Sequence, residues 1–214
     1  PSFRVGAGVI LLLMAIAMLQ ARLGATRQAP DEVEEAEEKD AVAMVPLAIP
    51  LLTFLPVFAR DVLHGGAKAF TQLLAVSGMG SVCGGLIVAT FGKIEGQGRY
   101  ALMVQVLLGC IIFGFSRSTV MPISLVLIFF SGAAMMISMS MVSSLVQAVA
   151  SDEMRGRVMS IYMLFFRGGM PLGSLASGWA ATYIGAPRVL EINGVLLVAV
   201  AIYFLVRSHG VREI

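Results

Sequence analysis

Seven runs of apolar residues, at 3–20, 41–59, 70–91, 99–115, 121–148, 157–183 and 189–206, alternate along the chain with short clusters of charge. Each run is seventeen residues or longer, close to the roughly 20 that a helix needs to cross a bilayer core of about 30 Å. In lipid, a strand or loop without neighbours would leave its amides without partners, so the pattern predicts helices throughout. The fold class expected is an all-α membrane protein of about seven transmembrane helices. Only one connector is long. It divides the chain into a first helix (1–20), an acidic linker (21–40) and a six-helix unit (41–214).

Composition strengthens this picture. Of 214 residues, 58% are hydrophobic and 13% charged, whereas a soluble domain carries about a quarter charged residues. The formal net charge of +2 offers nothing to a nucleic acid. With the 21–40 connector in the cytoplasm, that side holds nine Lys and Arg residues, against five outside. The positive-inside rule then places the C-terminus in the cytoplasm too. The expected location is a membrane that the chain crosses several times. The first run has no small-residue cleavage site ahead of a soluble domain, which argues against a signal peptide. Cys83 and Cys110 fall inside apolar runs and read as small buried hydrophobes. No Cys/His cluster has the spacing of metal ligands, so no metal or other cofactor is expected.

The linker carries DEVEEAEEKD, with seven acids between Asp31 and Asp40. A docking site for a basic partner is one reading. A solvated linker that keeps two bundles apart by charge is the plainer one.

Within the runs, a few residues break the apolar rule. Pro46, Pro50 and Pro56 each lack an amide donor and should bend their helix. That helix is either a gate lining a path or a kink that suits packing. Gly80 and Gly84 form one small-xxx-small pair, and Gly173 and Gly178 belong to another small-residue stretch. Both predict close helix contacts. Asp152, Glu153, Arg155 and Arg157 precede or open the sixth run. They suit a latch closing the cytoplasmic side, or simple anchoring at the interface.

Arg167 is the sharpest exception. It stands ten residues beyond Arg157, about 15 Å deeper along a helix, where even a lenient scale sets the cost near 2.5 kcal/mol. Such a residue should face protein or a water-filled cavity. Gly168, Gly169 and Pro171 follow it and should loosen the helix beside the charge. Arg167 is expected to meet an anionic or polar substrate. The alternative is a structural Arg held by freed carbonyls or by an acid on another helix. Gln105 and Gln147 are further cavity candidates. Glu191, three residues after Arg188, reads as its local ion-pair partner.

Two stretches resemble a known family. LPVFARDVLHGGA (Leu55–Ala67) and DEMRGRVMSIYMLFFRGGMPLGSLASGWAATYIGAP (Asp152–Pro187) are similar to the seventh-helix exit and the tenth-to-eleventh-helix region of the major facilitator superfamily. Within them, RGRVMS and MPLGS resemble the branch containing the enterobactin exporter and related drug-efflux proteins. The resemblance covers most of 42–206 and implies two six-helix halves with substrate between them, rocking to give alternating access. This chain would supply the C-terminal half and the last helix of the other. The missing half, or a second copy, would be its partner in the bilayer. The loop GKIEGQG departs from the family by lacking the acid at its usual place, with Glu95 nearby.

The function expected is therefore efflux of a small molecule, drug-like or siderophore, with proton coupling implied by the resemblance. The alternative is a truncated, non-transporting scaffold or a half-transporter needing a partner. No P-loop, H-E-x-x-H motif, deep aspartate pair or Ser/His pair is present to make an enzyme.

Overall fold

A computed structural model describes residues 50–91, 97–149 and 155–207. The described residues form helices and short turns. The helices are α1 (Pro50–Val57), α2 (Gly66–Phe91), α3 (Gln97–Arg117), α4 (Met121–Val149), α5 (Arg155–Ile184) and α6 (Ala186–Arg207). The first helix, the acidic linker, 41–49 and Pro46 lie outside the described residues.

The bend expected of the Pro-rich run takes a specific form. Pro50 opens α1, where a missing amide donor costs nothing. Pro56, inside the helix, deprives the carbonyl of Leu52 of its i+4 donor. The helix then widens into a π-helical turn over Phe58–Val62, closed by the Leu63 amide donating to the Phe58 carbonyl at 3.0 Å. The run therefore ends as a widened turn, with His64 in the left-handed region at φ 51° before α2 begins. At the other tight reversal, between α5 and α6, Gly185 adopts φ 85°, a conformation that favours glycine.

Two helix pairs are locked by backbone approach. In the first, α2 crosses α4. A Cβ added to Gly80 would collide with the Phe129 carbonyl, one on Gly84 would come 2.5 Å from the Ala133 carbonyl oxygen, and one on Gly132 would collide with the Ser77 carbonyl. The Ser81 hydroxyl sits at this crossing, 3.1 Å from the Ser77 carbonyl and 3.3 Å from that of Gly132. In the second, α3 crosses α6, and a Cβ on Gly109 would meet the Gly194 carbonyl at 2.9 Å. Helices can approach this closely only where side chains vanish, and in lipid such contacts supply much of the association energy.

The best-buried side chains gather near the π-helical turn, where the Phe58 and Phe115 rings sit 4.8 Å apart. Leu55, Ile112, Leu190 and Leu197 are almost fully enclosed. The outward faces are no less apolar: Met79, Val82 and Leu86 of α2 are each more than 60% exposed. Water would not tolerate this surface, whereas lipid tails would.

α2, α3, α4 and α6 are long and apolar enough to cross a membrane. With 30 residues, α5 spans about 45 Å, so it has the length. It is less apolar than those four, because Arg157, Arg167 and its many Gly and Ser residues dilute it. The cysteines correct one expectation. Cys83 and Cys110 are both exposed and free. They ride the outward faces of α2 and α3, because apolar residues in a membrane protein need not be inside the protein.

Candidate functional site

Three polar residues of α5 share one face. Ser160, Arg167 and Ser174 follow each other at intervals of seven, nearly two full turns, so they line up along one stripe. Leu164, Pro171 and Leu175 fill the same stripe, and Arg167 and Pro171 are exposed on it. Gly178 extends it toward the helix end, where an added Cβ would meet nothing within 4 Å. Arg167 is the thirteenth residue of the 30 in α5. Its Cα stands about 4 Å along the axis from the helix midpoint.

A second helix joins this stripe. The hydroxyls of Thr53 on α1 and Ser174 on α5 share a hydrogen bond of 3.2 Å. Thr53 precedes Pro56 by three residues and Ser174 follows Pro171 by three, so the bond ties together two proline-interrupted helices. A turn beyond Ser174 and around to one side of the stripe, the buried Ser177 hydroxyl accepts from Asn193 Nδ2 of α6 at 3.4 Å.

The helix breaks add acceptors. Pro171 sits inside α5 and has no amide hydrogen, so the main-chain carbonyl of Arg167 loses its i+4 donor. One residue thus offers, at mid-helix, a guanidinium and a carbonyl that lacks its i+4 donor. Among the described residues Arg167 makes no ion pair. Ion pairs found there include Arg60–Asp61 at 3.7 Å and Arg117–Glu191 at 3.6 Å. The second corrects an expectation. Glu191 reaches across to the end of α3 instead of pairing with Arg188 on its own helix. It ties the α3 and α6 ends together at the side of the bundle that carries the π-helical turn.

The sequence-based candidates are not gathered at one point. Gln105 of α3 is 4% exposed, and its Oε1 finds no hydrogen-bond partner among the described residues. It therefore points into the protein and not along the Arg167 face. Leaving such an oxygen unpaired costs about 1–3 kcal/mol. Gln147 is exposed, and its Nε2 donates to the carbonyl and hydroxyl of Ser143 on its own helix, at 3.1 and 3.3 Å. Arg157 is exposed at the first turn of α5. Asp152 and Glu153 lie outside the described residues, as do the Arg155 side chain and the surroundings of Gly168 and Gly169.

The glycines divide. Gly80 and Gly84 sit at the α2–α4 crossing. Gly173 is partly exposed, and a Cβ on Gly178 would meet nothing within 4 Å among the described residues. The other close approaches belong to Gly132, Gly109 and Gly194, which no short-range motif marks. Their only sequence signal is a glycine in the middle of an apolar helix.

Comparison with known proteins agrees with a membrane transporter. Residues 39–212 match the family described as "Transmembrane secretion effector", which is of the major-facilitator type. Short stretches also match proteins named only as UPF0056 membrane proteins. The one from Aquifex aeolicus is 38% identical over 52 residues, 24% of each chain. The one from Methanocaldococcus jannaschii is 42% identical over 52 residues, 24% of this chain and 23% of that protein. The one from Escherichia coli is 33% identical over 51 residues, 24% of each. The matches thus span about a quarter of these relatives' length. No solved structure matches the chain.

Proposed function

The chain belongs to the transmembrane secretion effector family of major-facilitator transporters, and from that premise we propose that it forms the C-terminal part of an efflux transporter, with Arg167 in its translocation path. The observation that carries this reading is Arg167 itself. A guanidinium near the midpoint of a 45 Å helix cannot face lipid cheaply, yet α5 presents it outward with no ion-pair partner among the described residues. Beside it, the Arg167 carbonyl lacks its i+4 donor, and a carbonyl freed at membrane depth calls for a partner from protein or water. The outward face of α5, with the Thr53–Ser174 junction, therefore suits one wall of a polar cavity.

The rest of the reading follows from the resemblance. A second six-helix half, or a second copy, supplies the opposite wall, and rocking of the two gives alternating access. The cargo is a small drug-like or siderophore molecule. Proton coupling, the bacterial inner membrane and a cytoplasmic C-terminus complete the proposal. The titrating carboxylate then belongs to the other half.

The test is flux. Proteoliposomes holding the intact protein are loaded with one cationic and one anionic fluorescent dye. At least one dye is expected to leave several times faster than from protein-free vesicles, and faster still under a proton gradient. No flux of either dye, together with specific capture of a partner through residues 31–40, would favour a scaffold instead.

A further inference from the structure

From the two groups that Arg167 offers on one face of α5, and on the cavity reading above, we propose the chemical class of the cargo. It is an apolar organic anion that also carries a hydrogen-bond donor, bound lengthwise along α5.

Three observations combine. The first is charge: Arg167 is exposed and makes no ion pair among the described residues, so its guanidinium calls for an anion. The second is the missing amide hydrogen of Pro171. It leaves the Arg167 carbonyl without its i+4 donor, on the face where both residues are exposed. A carbonyl in that position calls for a donor. The third is the lining. Leu164 and Leu175, 72% and 70% exposed, flank the two polar groups on the same stripe, so the body of the ligand must be apolar.

Helix geometry also sets the direction. Side chains lean toward the helix N-terminus, whereas carbonyls point toward the C-terminus. The guanidinium therefore stands on the Ser160 side of the Arg167 Cα, and its carbonyl on the Ser174 side. The anionic end of the ligand points toward the first turn of α5. Its donor points toward the Thr53–Ser174 junction, where the two hydroxyls can accept or donate a further bond.

Dansylglycine is a suitable probe, since it joins a carboxylate and a sulfonamide N–H to a fluorescent apolar body. Dansylsarcosine replaces that N–H with N-methyl, and dansylglycine methyl ester removes the charge. With the intact protein in nanodiscs, dansylglycine is expected to bind saturably. The ester should bind about tenfold more weakly, and dansylsarcosine about fivefold. The two halves of the site should then separate by mutation. Arg167→Gln brings the acid and the ester to equal affinity but keeps the preference for N–H. Pro171→Ala returns a helical donor to the carbonyl, so the preference for N–H disappears while that for the acid remains.

Absence of saturable dansylglycine binding, equal binding of the three probes, or an N–H preference that survives Pro171→Ala would each overturn the assignment. Its failure is separable from that of the cavity reading. If Arg167→Gln slows dye flux while the three probes bind alike, only the ligand class falls. If Arg167→Gln changes neither flux nor binding, the cavity falls with it.

Discussion

Replacing Gly84 with leucine is expected to destabilise the protein by about 2–3 kcal/mol, near the upper end of what overpacking a filled interior costs. The reason is the partner at the contact. The Cβ would stand 2.5 Å from the Ala133 carbonyl oxygen, and a backbone atom cannot swing aside as a side chain can. The helices must separate, and the Ser81 hydroxyl then loses the Gly132 carbonyl that it meets at 3.3 Å. Gly80→Leu should behave alike, because its Cβ would run into the Phe129 carbonyl. Gly78 supplies the control: it lies on the same helix, but a Cβ there meets nothing within 4 Å. Heating purified variants and counting the monodisperse fraction reads the effect. Gly84→Leu should lose monodispersity at clearly lower temperature than Gly78→Leu, and equal behaviour would refute the locked crossing.

Arg167→Gln is expected to lower dye flux at least tenfold while the protein still folds and inserts. Removing a charge from the middle of a membrane helix does not harm insertion, since the charge was the costly part. What is lost, on the proposed reading, is the group that meets the cargo. Arg167→Lys keeps the charge as a compact ammonium without the planar fork, so part of the flux should remain. Normal flux in the glutamine variant would mean that Arg167 is structural.

Helix positions were largely legible in the sequence because the physics is one-dimensional. An apolar run between charge clusters has one economical fate in lipid, and α2, α3, α4 and α6 end within a few residues of the runs at 70–91, 99–115, 121–148 and 189–206. What depends on other helices was less legible. The glycine pair in α2 announced a contact, but its counterpart Gly132 did not, because only the crossing assigns that glycine a role. Glu191 had a plausible partner three residues away and chose one on another helix. Cys83 and Cys110 were expected inside, since hydropathy alone does not distinguish a protein interior from a lipid-facing surface. The π-helical turn after Pro56 was foreseen only as a bend, because proline removes a donor without dictating how the chain recovers.

The site shows the same division. Arg167 stood out at once as a charge in an apolar run, and the proline four residues on is visible in the sequence. That Thr53 would meet Ser174 was not visible, since it depends on how α1 leans on α5. Nor could the sequence separate Gln105 from Gln147: both are single amides in apolar runs, yet one is enclosed by the core and the other bonds within its own turn.

The central claim is that the Arg167 face of α5 borders water, not lipid. Arg167→Cys, made in a Cys83→Ala/Cys110→Ala background and tested in sealed vesicles with a charged, membrane-impermeant thiol reagent, tests it most directly. Reaction with the charged reagent, slowed when a transported dye is present, is the result this account predicts. A cysteine that reacts only with a lipid-soluble maleimide, and is indifferent to the dye, would contradict it.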